Sequence, residues 1–163
     1  MKKFLIQAVG LIVLIFTALA FSTGKIPNFQ PLSITKNQSL GQLRINDKVS
    51  LNIEIANTQE KRRKGLSGRE SLASDSGMLF KFDKIDKYSL WMKGMKIPLD
   101  FIWIKDFKVV DLIKNVKVPE PGTKDKDLSI YMPATLVDSV LEVNSGFVDL
   151  HDIKIGDTIE IVK

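Results

Sequence analysis

Cysteine is missing from all 163 residues, and histidine occurs once, at His151. The first absence excludes disulfides, thiolate nucleophiles, cysteine zinc sites and the lipid-attachment cysteine of a lipoprotein. The second leaves no multi-histidine metal centre, so neither a metal nor a cofactor is expected, and a lone late histidine reads as a surface or capping residue. Charge of one sign is also scarce. Lys2 and Lys3 aside, 22 basic face 19 acidic side chains, a net +3. A nucleic-acid surface needs a denser basic face, so no nucleic-acid partner is expected. The single local run, Lys61-Arg62-Arg63-Lys64, reads as the solvated face of a helix.

Two features of the N-terminal region stand out. Lys2 and Lys3 precede a run from Phe4 to Phe21 that is apolar apart from Gln7, Gly10 and Thr17. Ala18-Leu19-Ala20 places small residues where a signal-peptide cleavage site needs them. The same run approaches the ~20 residues that span a bilayer, so residues 1–21 are expected to be a cleaved signal peptide or a retained membrane anchor helix. In both cases the rest of the chain is expected outside the cytoplasmic membrane, secreted or held by residues 4–21, with the membrane as a partner if the segment is uncleaved. Residues 22–40 mix turn-formers with Pro27 and Pro31 and show no sustained period, so they read as a linker.

Residues 41–163 are expected to form a single, mostly β globular domain. A hydrophobic content of 44% against 26% charged residues suits a folded core. Val49 to Ala56 alternates apolar and polar residues without a fault, a half-buried strand with Val49, Leu51, Ile53 and Ile55 facing inward. Leu43-Arg44-Ile45 precedes it across a turn at Asn46-Asp47-Lys48. A short helix over 58–64 is expected next, capped by Asn57 with Glu60 in a capping box and ended by Gly65. Further strands are expected over 77–82, 88–92, 99–104, 108–117, 140–143 and 157–162, with a mobile surface loop over 119–127. Short strands at this spacing, with one or two short helices, predict a β-sandwich or small barrel.

Several stretches together resemble one family. They are Glu54-Ile55-Ala56-Asn57-Thr58 with Glu60 and Arg62, Gly65-Leu66-Ser67-Gly68-Arg69, and Gly77-Met78-Leu79-Phe80 with Phe82. Trp91-Met92-Lys93 with Ile97-Pro98-Leu99-Asp100 is the most specific, and Leu141-Glu142-Val143-Asn144, Gly146 and Ile155-Gly156-Asp157 follow in order. Over roughly residues 49–162 the chain resembles the bacterial and archaeal family named Domain of Unknown Function 192. The resemblance implies a compact, mainly β domain, often behind a signal peptide, and no particular activity. Two departures stand out: Gly94-Met95 replaces the Asn-Thr that usually follows Trp-Met-Lys, and the cysteine pair many members carry near the later proline loop is missing here.

The candidate site residues are Arg69, Trp91, Lys93 and Asp100. Trp91 offers a stacking face for a sugar or other planar ligand, or else a core aromatic. Lys93 offers a cation, or else a stem packed along the surface. Asp100 enters the apolar run Phe101-Ile102-Trp103-Ile104, so it is expected to be buried and bonded to turn amides, Arg69 or Lys93. Glu142, like Glu54, sits between apolar neighbours and reads as the wet face of a half-exposed strand. The enzymatic alternative pairs Asp100 and Glu142 as the acid and base of a hydrolase, for example a carbohydrate-active one. With no nucleophile motif, phosphate loop or metal cluster, a binding or accessory module for a ligand or envelope component is preferred over an enzyme.

Overall fold

The computed structural model describes residues 40–162. The targeting run of residues 1–21 and the linker lie outside the described residues, except Leu40, which already opens the first strand. Among the described residues no helix is long and apolar enough to cross a membrane. In chain order the elements are β1 (Leu40–Ile45), β2 (Val49–Ala56), α1 (Gln59–Lys64), β3 (Ser76–Asp86), β4 (Leu90–Trp91), β5 (Leu99–Lys105), β6 (Lys108–Val116), β7 (Ile130–Tyr131), β8 (Val137–Asn144), α2 (Phe147–Leu150) and β9 (Ile159–Val162).

The β1–β2 hairpin follows from local chemistry. Asn46 and Asp47 both take positive φ, the backbone that a tight hairpin turn demands and that these residue types tolerate best. The hairpin then pairs Ile45 with Val49 and Leu43 with Leu51. After β2 the chain climbs through α1 and returns parallel to β2 as β3, a pairing that only a crossover connection allows. The helix starts one residue later than the sequence reading places it. Thr58, not Asn57, is the N-cap, accepting a hydrogen bond from the Lys61 N–H at 3.2 Å. That register puts Lys61 rather than Glu60 three residues past the cap, so no capping box forms.

Seven strands make one sheet in the order β6-β5-β8-β3-β2-β1-β9, and β4 and β7 form a separate two-stranded piece. The sheet curls until its edges meet at one end. The Gly156 N–H donates to the Val109 carbonyl at 2.8 Å, the Val109 N–H to Asp157 at 2.9 Å, and the Ile159 N–H to Phe107 at 2.8 Å. The result is a half-barrel, so the barrel expectation holds and the sandwich one gives way: one sheet bends on itself rather than facing a second.

Each face of this sheet carries its own core. Inside the curl, Leu43, Leu51, Ile53, Leu79, Ile102 and Leu141 pack with Phe147 and Val148 of α2, which plugs one opening. Outside it, Met78, Phe80, Leu99, Phe101, Trp103 and Val140 are covered by Leu66, Met92, Met95 and Ile97 from the connecting segments. β5 therefore buries both faces, which accounts for its unbroken apolar run. Two glycines permit close approaches. A Cβ on Gly77 would sit 2.8 Å from the Glu142 carbonyl oxygen of neighbouring β8. Gly94 has φ +66°, and a Cβ there would meet Ser67 Oγ at 2.5 Å, because the Gly68 N–H bonds to the Gly94 carbonyl at 2.9 Å.

Candidate functional site

β8 runs between β5 and β3, and both of its faces are covered, so Glu142 is not on a wet face. It pairs in register with Phe101 on one side and Met78 on the other, and it is 6% exposed. Among the described residues its carboxyl makes no hydrogen bond and no ion pair. Burial alone pushes its pKa up from 4.5 to about 8, because a low-dielectric surrounding disfavours the charged form. A buried carboxyl without a partner is costly. Here it faces a cleft of about 470 Å³.

The cleft lies on the outer face of the sheet and has three banks. α1 forms one bank, held by Arg62, whose Nη1 donates to the Lys81 carbonyl at 2.7 Å and whose Nη2 lies 3.3 Å from Asp83 Oδ2. β3 forms the second, with Phe80 and Phe82 reaching the cleft. Phe82 stacks on Tyr88 with centroids 3.5 Å apart and planes inclined by 10°. The third bank is β4 with the turn behind it, and it brings Trp91, which is half exposed, to the rim. The Lys93 ammonium lies 5.6 Å from the Trp91 ring centroid and pairs with Asp125. Five cations line the cleft, Arg62, Arg63, Lys64, Lys84 and Lys93, against Asp83 and Glu142.

The four candidates from the sequence do not come together. Trp91 and Lys93 border the cleft. Arg69 does not: its guanidinium grips Glu54 through both oxygens, with Nη2 at 2.7 Å, and this hydrogen bond raises its pKa. Asp100 is fully buried on the opposite face of the sheet, in the curl, where it accepts the Asn115 N–H at 2.8 Å and the Val148 N–H at 2.9 Å. Those bonds tie β5 to the end of β6 and to the first turn of α2, a structural staple made with backbone amides and with neither Arg69 nor Lys93. The register pairs Phe101, not Asp100, with Glu142, so side-chain alternation sends the two carboxyls to opposite faces. They cannot flank one scissile bond, and the acid–base pairing falls. His151 packs its ring 4.3 Å from that of Phe147. Among the described residues no group of acidic or histidine side chains is placed to hold a metal.

The family model described as Uncharacterized ACR, DUF192, matches residues 41–161. This chain belongs to the DUF192 family. Two solved structures are similar. One, from Sinorhizobium meliloti 1021, is described as a candidate transcription regulator; it is 26% identical, with 76% of this chain and 95% of that one covered and a TM-score of 0.67. The other, a protein of unknown function from Novosphingobium aromaticivorans DSM 12444, is also 26% identical, with 83% and 93% covered and a TM-score of 0.68. No curated protein matches the sequence. Of these two similar structures one carries a functional description and the other none, so what this chain does rests on the residues of its own site.

Sequence reasoning overlooked most of this site. It rightly read Lys61-Arg62-Arg63-Lys64 as the solvated face of a helix but not as the bank of a cleft, and it gave Phe82 and Tyr88 no role. The signal available was a cationic helix end followed by aromatic residues at 80, 82 and 88, all preceding Trp91.

Proposed function

We propose that this DUF192 protein is a small-molecule binding module of the cell envelope, exported or anchored by residues 4–21, with the cleft above Glu142 as its site. The observation that carries the reading is the unpartnered, buried Glu142 carboxyl at the floor of an open cleft beside a half-exposed Trp91. A protein tolerates an uncompensated buried polar group chiefly where the group has work to do. Phe82, Tyr88 and Trp91 supply apolar ring faces, and a few polar groups at floor and rim supply orientation, which is the usual make-up of a ligand pocket. The lysines at positions 2 and 3 and the apolar run behind them support the envelope location. The regulator description of the Sinorhizobium relative is not carried over, because Arg62 is engaged with β3 and α1 has only six residues.

The test uses the two tryptophans. Trp103 is fully buried, with its indole N–H unpartnered, while Trp91 is open at the cleft. Compounds from a panel of sugars, carboxylates and sugar phosphates should change Trp91 emission and raise the melting temperature. Glu142→Leu should abolish both responses in a folded protein. A ligand-induced rise in melting temperature that survives in both Glu142→Leu and Trp91→Ala would place the binding elsewhere and end this reading.

A further inference from the structure

We infer that the ligand is a small ring-bearing organic anion, its acidic group met by the cations of α1 and its uncharged polar edge hydrogen-bonded by Glu142. This rests on the cleft being the binding site and adds what that site selects. The charge is distributed unevenly. All five basic side chains of the cleft come from its banks, and the one acid at its floor is paired with none of them.

Two of those cations already have partners. Arg62 is taken by Asp83 and the Lys81 carbonyl, and Lys93 by Asp125. Arg63, Lys64 and Lys84 are exposed, and their side chains make no hydrogen bond or ion pair among the described residues. A positive rim with idle donors attracts anions and repels cations, and a concave site strengthens that field. Guanidinium donors at the rim suit a carboxylate or a phosphate equally, so both sources of the acidic group fall within the inference.

The floor makes the complementary choice. A carboxyl in an apolar surrounding with no cation beside it holds its proton at neutral pH, so it presents one donor and one acceptor and no charge. It can bond a hydroxyl or carbonyl edge without repelling the anion above it. The aromatic walls favour a ring between the two ends, because Trp91 and the Phe82–Tyr88 stack offer flat apolar faces. The volume of about 470 Å³ suits a molecule of monosaccharide or single-ring size.

The test holds the ring constant and varies the charge. One series is glucuronate, glucose and glucosamine; the other is 4-hydroxybenzoate, 4-hydroxybenzyl alcohol and 4-hydroxybenzylamine. Binding to the full-length protein is followed by Trp91 emission and by calorimetry, at low and high salt. In the series that fits the ring, the anion should bind about tenfold more tightly than the neutral member, the worth of one partly screened charge contact. The cation should bind worst, and salt should erase the anion's advantage. Arg63→Ala with Lys64→Ala should bring the anion down to the neutral member's affinity, a loss far larger than any change in the neutral member's own binding, and should keep the fold, since α1 has no buried residues to disturb. A neutral or cationic member that binds as well as the anion overturns the charge assignment and leaves the cleft reading intact. Failure of every member of both series to perturb Trp91 overturns both.

Discussion

Replacing Glu142 by Gln keeps the size of the side chain and removes its titration, which makes the cost of burying this carboxyl measurable as a function of pH. In the unfolded chain the group releases its proton near the ordinary 4.5, and in the folded protein only near 8. Between those values the unfolded state binds fewer protons than the folded state, so wild-type stability falls as pH rises through the window. Below it both states are protonated, above it both are ionised, and the slope vanishes. Each pH unit in the window is worth about 1.4 kcal/mol. By pH 8 the wild type should therefore trail Glu142→Gln by on the order of 4–5 kcal/mol more than it does at pH 4.5. That is a large share of the 5–15 kcal/mol that typically holds a domain together. Urea unfolding of both proteins at pH 4.5, 6, 7, 8 and 9 reads the difference directly, because every other titrating group is common to the two chains. The gap should widen steadily to pH 8 and then level off. A gap that stays constant across the range would show that Glu142 titrates normally, and the picture of an uncompensated buried carboxyl would be wrong.

Three other predictions follow from the geometry. Asp100→Ala leaves the buried N–H of Val148 and the part-buried N–H of Asn115 without their acceptor and should cost on the order of 1–3 kcal/mol in denaturant melts; an unchanged midpoint would remove its role as a staple. Gly77→Ala pushes a Cβ against the Glu142 carbonyl oxygen at 2.8 Å and should lower stability by roughly 1–3 kcal/mol, with a wild-type melting curve as the contrary result. Finally, if residues 4–21 direct export, protease added to intact cells should spare the domain until the outer layers are opened, and recovery of the full-length chain from the soluble cytoplasm would refute the proposed location.

The parts of this fold that could be read from sequence are those governed by neighbouring residues. The period of two in β2, the Asn46-Asp47 turn and the apolar run of β5 each have a local cause, and each lies where it was expected. The parts that could not be read depend on partners remote in the chain. β7 exists only because Ile130 and Tyr131 meet Trp91 and Leu90, and β3 runs on to Asp86 because β8 is there to receive it across a bulge. The parallel return of β3 beside β2 has no signature in either strand alone. The site suffered most from this. Asp100 was rightly expected to be buried, but nothing in Pro98-Leu99-Asp100 tells which face of the sheet it enters. Glu142 was read as solvated because alternation implies one wet face, and that assumption fails for a central strand covered on both sides. Arg69 was drawn into the site as a cation able to partner Asp100, whereas its chemistry is spent on Glu54.

The junction where the sheet's edges meet also bears on how this protein would fail. An edge strand displays free N–H and C=O groups and is a template for another chain. Here Phe107 to Val109 and Gly156 to Ile159 give each other those bonds within one molecule. A lesion at that seam would leave most of both cores intact, since the larger side chains of β5, β8 and β3 lie elsewhere. What it would release is a pair of adhesive borders, so the first symptom of damage would be self-association of a still largely folded protein, ahead of any loss of its melting transition.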